Sequence, residues 1–161
     1  MNTVQWSVKS EVGPLYVVAS EKGLRGIFRK KLAAPMAPSL GQPRPEIQML
    51  KQAVEQLQEY LSGERQKFDL PLDIQGTDFQ MKVWRALRKV PYGKTCSYKD
   101  VAKKINQDKA VRAVGTANGK NPVCIVIPCH RVIAADGSLG GYSGGLDMKT
   151  YLLQLEQRTS G

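Results

Sequence analysis

Histidine is nearly missing from this 161-residue chain and cysteine is scarce: His130 stands alone, with Cys96, Cys124 and Cys129 as the only thiols. An odd thiol count argues against a closed disulfide framework. No Cys or His precedes Cys96, so the first half cannot build a thiolate or imidazole metal site. The four such residues of the second half match no zinc-finger or ribbon spacing, and no metal is expected. Also missing is an apolar run near the roughly 20 residues that cross a bilayer. The first residues, Met1 to Trp6, lack the basic region and apolar core of a secretory signal. These absences predict a soluble cytoplasmic protein with no membrane partner and no cofactor.

Acidic side chains are short in one half only. Residues 76–161 carry 14 basic and 6 acidic side chains, which leaves +8 of the chain's +10 net charge there. A basic field confined to one half is the footprint of a polyanion partner, or else a solvated basic surface.

What is present reads as two regions, 1–75 and 76–161. Val4 to Val8 alternates apolar and polar residues, Leu15 to Ala19 is rich in strand formers, and Leu24 to Arg29 offers a third strand. Turns at Gly13-Pro14 and Lys22-Gly23 make an antiparallel meander the simple arrangement. Lys30 to Pro45, with four prolines and no periodicity, is a surface loop. Ile47, Leu50, Val54, Leu57 and Leu61 then predict an amphipathic helix over 46–61, closed by Gly63 and packed on the meander. Phe68 to Gly76 is an extended connector.

The second region is helical. Thr77 with Gln80, and Ser97 with Asp100, form capping boxes that open two helices, and a third runs from Ala110 to Asn118. Two short helices joined by a turn fit a helix-turn-helix, or a pair that only packs. In the third helix Val111 and Val114 can face the core, while Ala113, Gly115, Thr116 and Ala117 keep the rest small. Small side chains permit close approach to a minor groove about 6 Å wide. Arg112 is the long exception, able to reach a phosphate or enter a base stack, or to sit in a surface ion pair.

Cys124 to Val132 reads Cys-Ile-Val-Ile-Pro-Cys-His-Arg-Val. An apolar, strand-like stretch delivers Pro128, which fixes the backbone before Cys129. The thiolate is the nucleophilic form, and an adjacent imidazole can take its proton directly or through a water. A carboxylate is then wanted to orient the imidazole. Glu156, among leucines in a helix over 146–157, is a candidate, or only a helix-face charge. Adjacency alone leaves open a catalytic dyad and an inert buried thiol.

The run Pro128-Cys129-His130-Arg131-Val132 resembles the active-site signature of the O6-alkylguanine-DNA alkyltransferases, also called methylated-DNA–protein-cysteine methyltransferases. Arg112-Ala113-Val114-Gly115, Asn118-Gly119, Asn121-Pro122, Gly140 to Gly145, and Lys149 through Leu153 to Glu156 follow the same pattern in order. The resemblance spans 77–157; the first 75 residues are similar only in layout. It implies an α/β (α+β) fold: an N-terminal antiparallel sheet with a helix, ribonuclease-H-like, and a helical, winged helix-turn-helix-like C-terminal domain.

By the same resemblance the activity is stoichiometric, irreversible transfer of an alkyl group from O6-alkylguanine in duplex DNA to Cys129, with the base flipped out. O4-alkylthymine is a further candidate substrate. His130 would act as base through a water with Glu156 behind it. Asn121 would brace the active-site turn, and Tyr98 would donate a proton to the departing guanine. Ser143 would bond near O6, Tyr142 would line the pocket, and the carbonyls of Cys129 and Val132 would read the guanine amino group. Arg112 fits the intercalating finger, and Ala113, Gly115, Thr116, Ala117 and Asn118 fit the minor-groove helix. The implied partner is DNA bound without sequence preference by a monomer, with cooperative assembly left open.

The chain also departs from the family pattern. It has no ligands for the structural zinc some relatives carry in the first domain, and no multi-cysteine methyl-sensing domain. Gly119 stands where some members are basic, and Cys124 where some have proline. Two rivals remain: a lesion-binding protein without chemistry, against which Cys129 itself argues, and a helix-turn-helix regulator with an incidental Cys-His pair.

Overall fold

The computed structural model describes residues 2–142 and 144–160, which divide into two compact units, 1–74 and 75–161. In the first, β1 (Thr3–Val8), β2 (Leu15–Ser20) and β3 (Gly23–Phe28) form an antiparallel sheet in sequence order, with Val4 opposite Ala19 and Val8 opposite Leu15. Helix α1 (Pro45–Leu61) lies on this sheet. Its Ile47, Leu50, Val54 and Leu57 are buried, each contributing about 1.5–3 kcal/mol over exposure. The helix ends as its sequence requires: Gly63 takes φ +83°, and the Gly63 and Glu64 amides bond back to the carbonyls of Tyr60 and Glu59.

Two details differ from the expected layout. Gln5, a polar position in an alternating strand, is fully buried rather than solvent-facing. Its side-chain amide donates to the Leu32 and Ala34 carbonyls and accepts from the Leu32 amide, while its backbone pairs with Pro35 and Ala37. The proline-rich loop is thereby tied to β1 by hydrogen bonds that leave no hydrophobic period to read. The connector is also paired: the Leu24 amide donates to Pro71 and Leu24 accepts from Asp73, both at 2.9 Å. This approach needs Gly23, where a Cβ would sit 2.5 Å from the Pro71 oxygen.

The second unit holds α2 (Asp78–Leu87), β4 (Cys96–Ser97), α3 (Tyr98–Lys104), α4 (Val111–Gly119), a 3-10 turn (Cys129–Arg131), β5 (Val132–Ile133) and α5 (Leu146–Thr159). Both expected capping boxes form, Thr77 with Gln80 and Ser97 with Asp100. Helices α3 and α4 pack together and both pack on α2, whose Trp84 indole donates to the Ala117 carbonyl at 2.9 Å. Val111, expected toward the core, is exposed, because it opens the helix ahead of the packed turn that holds Val114. β4 and β5 pair in parallel over two residues, too short to show in a hydropathy pattern, with Cys96 beside Val132. Among the described residues no helix is long and apolar enough to cross a membrane.

Candidate active site

The stretch before Cys129 is not the strand that its apolar residues suggested. It is a tight turn closed by the Ile127 amide on the Val123 carbonyl at 3.0 Å. Asn121 makes the turn: its amide donates to the Ile127 carbonyl at 2.8 Å and its Oδ1 accepts from the Val123 amide at 3.0 Å. Ile125 is held at φ +76°, a strained region for a β-branched residue. A short apolar run does not distinguish a buried strand from a buried turn, and here the Asn121 side chain decided. The chain then enters the 3-10 turn, with the Arg131 amide on the Pro128 carbonyl.

The turn buries Cys129 almost completely, 1% exposed, with His130 and Glu156 at 0% and 1%. Glu156, two turns beyond Lys149 on α5, brings Oε2 to 2.6 Å from His130 Nε2. That contact assigns the imidazole proton to Nε2 and leaves Nδ1 as an acceptor; Nδ1 is buried with no partner among the described residues. Burial pushes the Glu156 carboxyl up, but the hydrogen bonds from His130 and Arg131 outweigh it and hold the group well below the usual range. Burial lowers the His130 pKa, partly offset by Glu156, so the imidazole is neutral at pH 7. Burial also raises the Cys129 thiol, against hydrogen bonds from Asn121 and Tyr142 and the charge of Lys149. The resting sulfur is therefore protonated, beside a neutral base.

A pocket of about 400 Å³ opens here, lined by Tyr98, Gly115, Asn118, Gly119, Gly141 and Tyr142. Asn118 of this lining reaches the reactive residue directly, its amide donating to the Cys129 carbonyl at 3.4 Å, while Tyr142 favours the thiolate and the Tyr98 hydroxyl is held protonated by burial and by proximity to that thiolate. A buried thiol behind a base-sized pocket can react only with a group that inserts into it.

Two family models cover nearly all of the chain. One described as "6-O-methylguanine DNA methyltransferase, ribonuclease-like domain" matches residues 5–74, and one described as "6-O-methylguanine DNA methyltransferase, DNA binding domain" matches residues 78–158. This chain belongs to the 6-O-methylguanine DNA methyltransferase family. The methylated-DNA–protein-cysteine methyltransferase of Methanosarcina barkeri is 44% identical, over 93% of this chain and 94% of that protein. That of Mycobacterium bovis is also 44% identical, over 94% and 90%. The crystal structure of Mycobacterium tuberculosis OGT in complex with DNA superposes with a TM-score of 0.84 at 39% identity, covering 99% of this chain and 94% of that one.

For this methyltransferase chain, the structure brings Cys129, His130, Glu156, Asn121, Tyr98 and Tyr142 into one cluster, and the Val132 carbonyl lies one turn on. Ser143 lies outside the described residues. On α4, Arg112, Ala113 and Thr116 are exposed and Gly115 is partly so. Two residues expected on that face are turned inward. Ala117 is 3% exposed beneath the Trp84 indole, and Asn118 at 4% belongs to the pocket. Helical periodicity puts both on the side of Val114, away from the exposed residues of the helix.

Two residues of the quoted motifs were given no role from the sequence. Arg131 forks onto Glu156, with Nε on Oε1 at 2.8 Å and Nη2 on Oε2 at 2.9 Å. Buried Lys149 donates from Nζ to the carbonyls of Val132 (2.7 Å), Leu139 (2.5 Å) and Gly141 (3.3 Å), fastening the glycine-rich loop to the end of the reactive turn. The signal was present: Lys149 and Glu156 are seven residues apart, two turns on one face of an otherwise apolar helix stripe.

Proposed function

We propose that this protein repairs DNA by transferring an alkyl group from O6 of guanine to the sulfur of Cys129, once per molecule. The observation that carries the reading is the buried Cys129 behind a pocket whose lining residue Asn118 bonds its carbonyl, beside a neutral His130 tied to Glu156. The thiol proton passes to His130 Nδ1 through a water. The sulfur then attacks the alkyl carbon as the carbon–O6 bond breaks. Its electron pair goes to the guanine, which is neutralised by a proton from the Tyr98 hydroxyl at the pocket wall. The product thioether has no leaving group to restore the thiol, so the reaction ends there.

The carbonyls of Cys129 and Val132 are the readers of the guanine amino group, and both are already held from behind, by Asn118 and Lys149. The partner is duplex DNA carrying O6-alkylguanine, met from the minor groove by the exposed face of α4 without sequence preference, by a monomer in the cytoplasm. Arg112 is long and exposed at the start of that face, placed to fill the stack the base leaves. The basic bias of residues 76–161 supports a polyanion partner.

Mixing the protein with duplex bearing O6-methylguanine should raise the mass of the Cys129 peptide by one methylene, with a yield that never exceeds one per protein. Cys129→Ala should bind the duplex and gain nothing. A wild-type peptide of unchanged mass would sink the reading in favour of lesion binding without chemistry.

A further inference from the structure

Glu156 is shared. Besides His130 it receives the fork of Arg131 and, at 3.2 Å, the backbone amide of Gly93. Arg131 is itself held at all three nitrogens: its Nη1 donates to the Val90 carbonyl at 2.7 Å, and its guanidinium lies 5.5 Å over the Tyr92 ring. A guanidinium fork fixes a carboxylate in plane and position in a way no other side chain does. One buried carboxylate thus faces two potential cations, only one of which is always charged.

We propose that Arg131 is a positioning residue of the alkyl transfer, which holds Glu156 as a fixed ionised acceptor and balances its charge, so that His130 stays neutral with Nδ1 open to the Cys129 proton. This rests on the transfer reading above for its kinetic consequence, but not for its effect on the imidazole. With Glu156 alone opposite it, a buried imidazole would pair with the carboxylate as an imidazolium, and a protonated His130 cannot take a proton from the thiol. The other charged groups around His130 fit the same balance. From α5 come Glu156, which favours the imidazolium, and Lys149, which opposes it. From its own turn come Arg131, which opposes it, and the Cys129 thiol. Tyr92 and the Gly93 amide border Arg131 and Glu156 from the segment after α2, where Lys94 is exposed. On α2, which also packs against the turn, Asp78, Lys82 and Arg85 are all exposed.

The first test needs no DNA. Because His130 is the only histidine, a histidine-labelled chain gives one imidazole to titrate by NMR. The wild type should show the neutral Nε2–H tautomer at pH 7. Arg131→Gln should move the titration midpoint up by about one pH unit or more, and Glu156→Gln should move it down. An imidazolium in the wild type at pH 7, or a midpoint that Arg131→Gln leaves in place, overturns the proposal.

The second test is the single-turnover rate of methyl transfer against pH. The acid limb of Arg131→Gln should shift upward by the same interval, so its rate near pH 6 falls severalfold further than its rate near pH 9. Arg131→Lys, which keeps the charge without the fork, should retain the wild-type limb with a lower plateau. A uniform loss with the limb unmoved in Arg131→Gln would mean a merely structural role and would refute the proposal. If Arg131→Gln does not fold, the wild-type tautomer and the Arg131→Lys midpoint decide, since a midpoint displaced despite the retained charge contradicts the charge balance. Absence of transfer by the wild type would defeat the functional reading while leaving the NMR result intact.

Discussion

The two units bury polar groups for different ends. In residues 1–74 the buried Gln5 ties down the proline-rich loop, and half-exposed Arg25 joins Asp73, which also accepts from Ser20, across the β3 edge. Each group there is a joint, satisfied by neighbours within its own unit. In residues 75–161 Asn118, Asn121, His130, Arg131, Lys149 and Glu156 are all buried, and all act on one thiol or on the backbone that carries it. Burying a polar group without partners costs a few kcal/mol, so most polar atoms of each network are bonded. Among the described residues the second leaves Asn118 Oδ1 and His130 Nδ1 without a hydrogen-bond partner, and Nδ1 is the atom the chemistry requires. The contrast separates polar burial that shapes a fold from polar burial that prepares a reaction.

Lys149→Met should break the second network most severely. Three carbonyls lose their donor, for about 3 kcal/mol of stability at roughly 1 kcal/mol each. Transfer should fall by a hundredfold or more as the glycine-rich loop comes away from Val132. Chemical denaturation and the mass assay together measure both losses, and full activity in a destabilised variant would mean that Lys149 is only a joint.

Stability should also fall with acid from about pH 6.5 downward. The folded pKa of His130 lies below its ordinary 6.5 and that of Glu156 below its ordinary 4.5. For both groups the unfolded chain binds protons first as pH drops, so stability is lost through two successive windows. The slope is at most about 1.4 kcal/mol per pH unit for each group. Thermal melts between pH 7 and 2 would record it, and Glu156→Gln should flatten the lower window.

Gln5→Ala should cost about 2 kcal/mol through unsatisfied backbone groups of the loop. The rate of transfer per folded molecule should stay unchanged; a slowed rate would show that the first unit's joints reach the chemistry. Arg112→Ala should have the smallest energetic effect. It should weaken binding to O6-methylguanine duplex about tenfold, some 1.4 kcal/mol, with a salt dependence shallower by about one ion. Reaction with the free base O6-benzylguanine should be untouched.

Much of this was legible before any coordinates. Both capping boxes, the α1 stripe with its Gly63 stop, and the strand meander follow from local spacing, and each is found in place. Local rules failed where a side chain overrode them. Asn121 bent an apolar run into a turn, Gln5 was drawn inward by a loop 27 residues away, and Ala117 packed inward while Asn118 turned to the pocket.

Cys129, His130 and a polyanion partner were implied by motif and composition, because a thiol–imidazole pair and a one-sided charge are properties of the chain itself, and the family resemblance made that partner DNA. What tertiary structure alone decided is the state of that pair. Burial protonates the thiol and neutralises the imidazole, and the Arg131 fork across 25 residues sets the carboxylate that orients it. Desolvation and hydrogen-bond geometry depend on what the rest of the fold places around a group, and a list of residues carries neither.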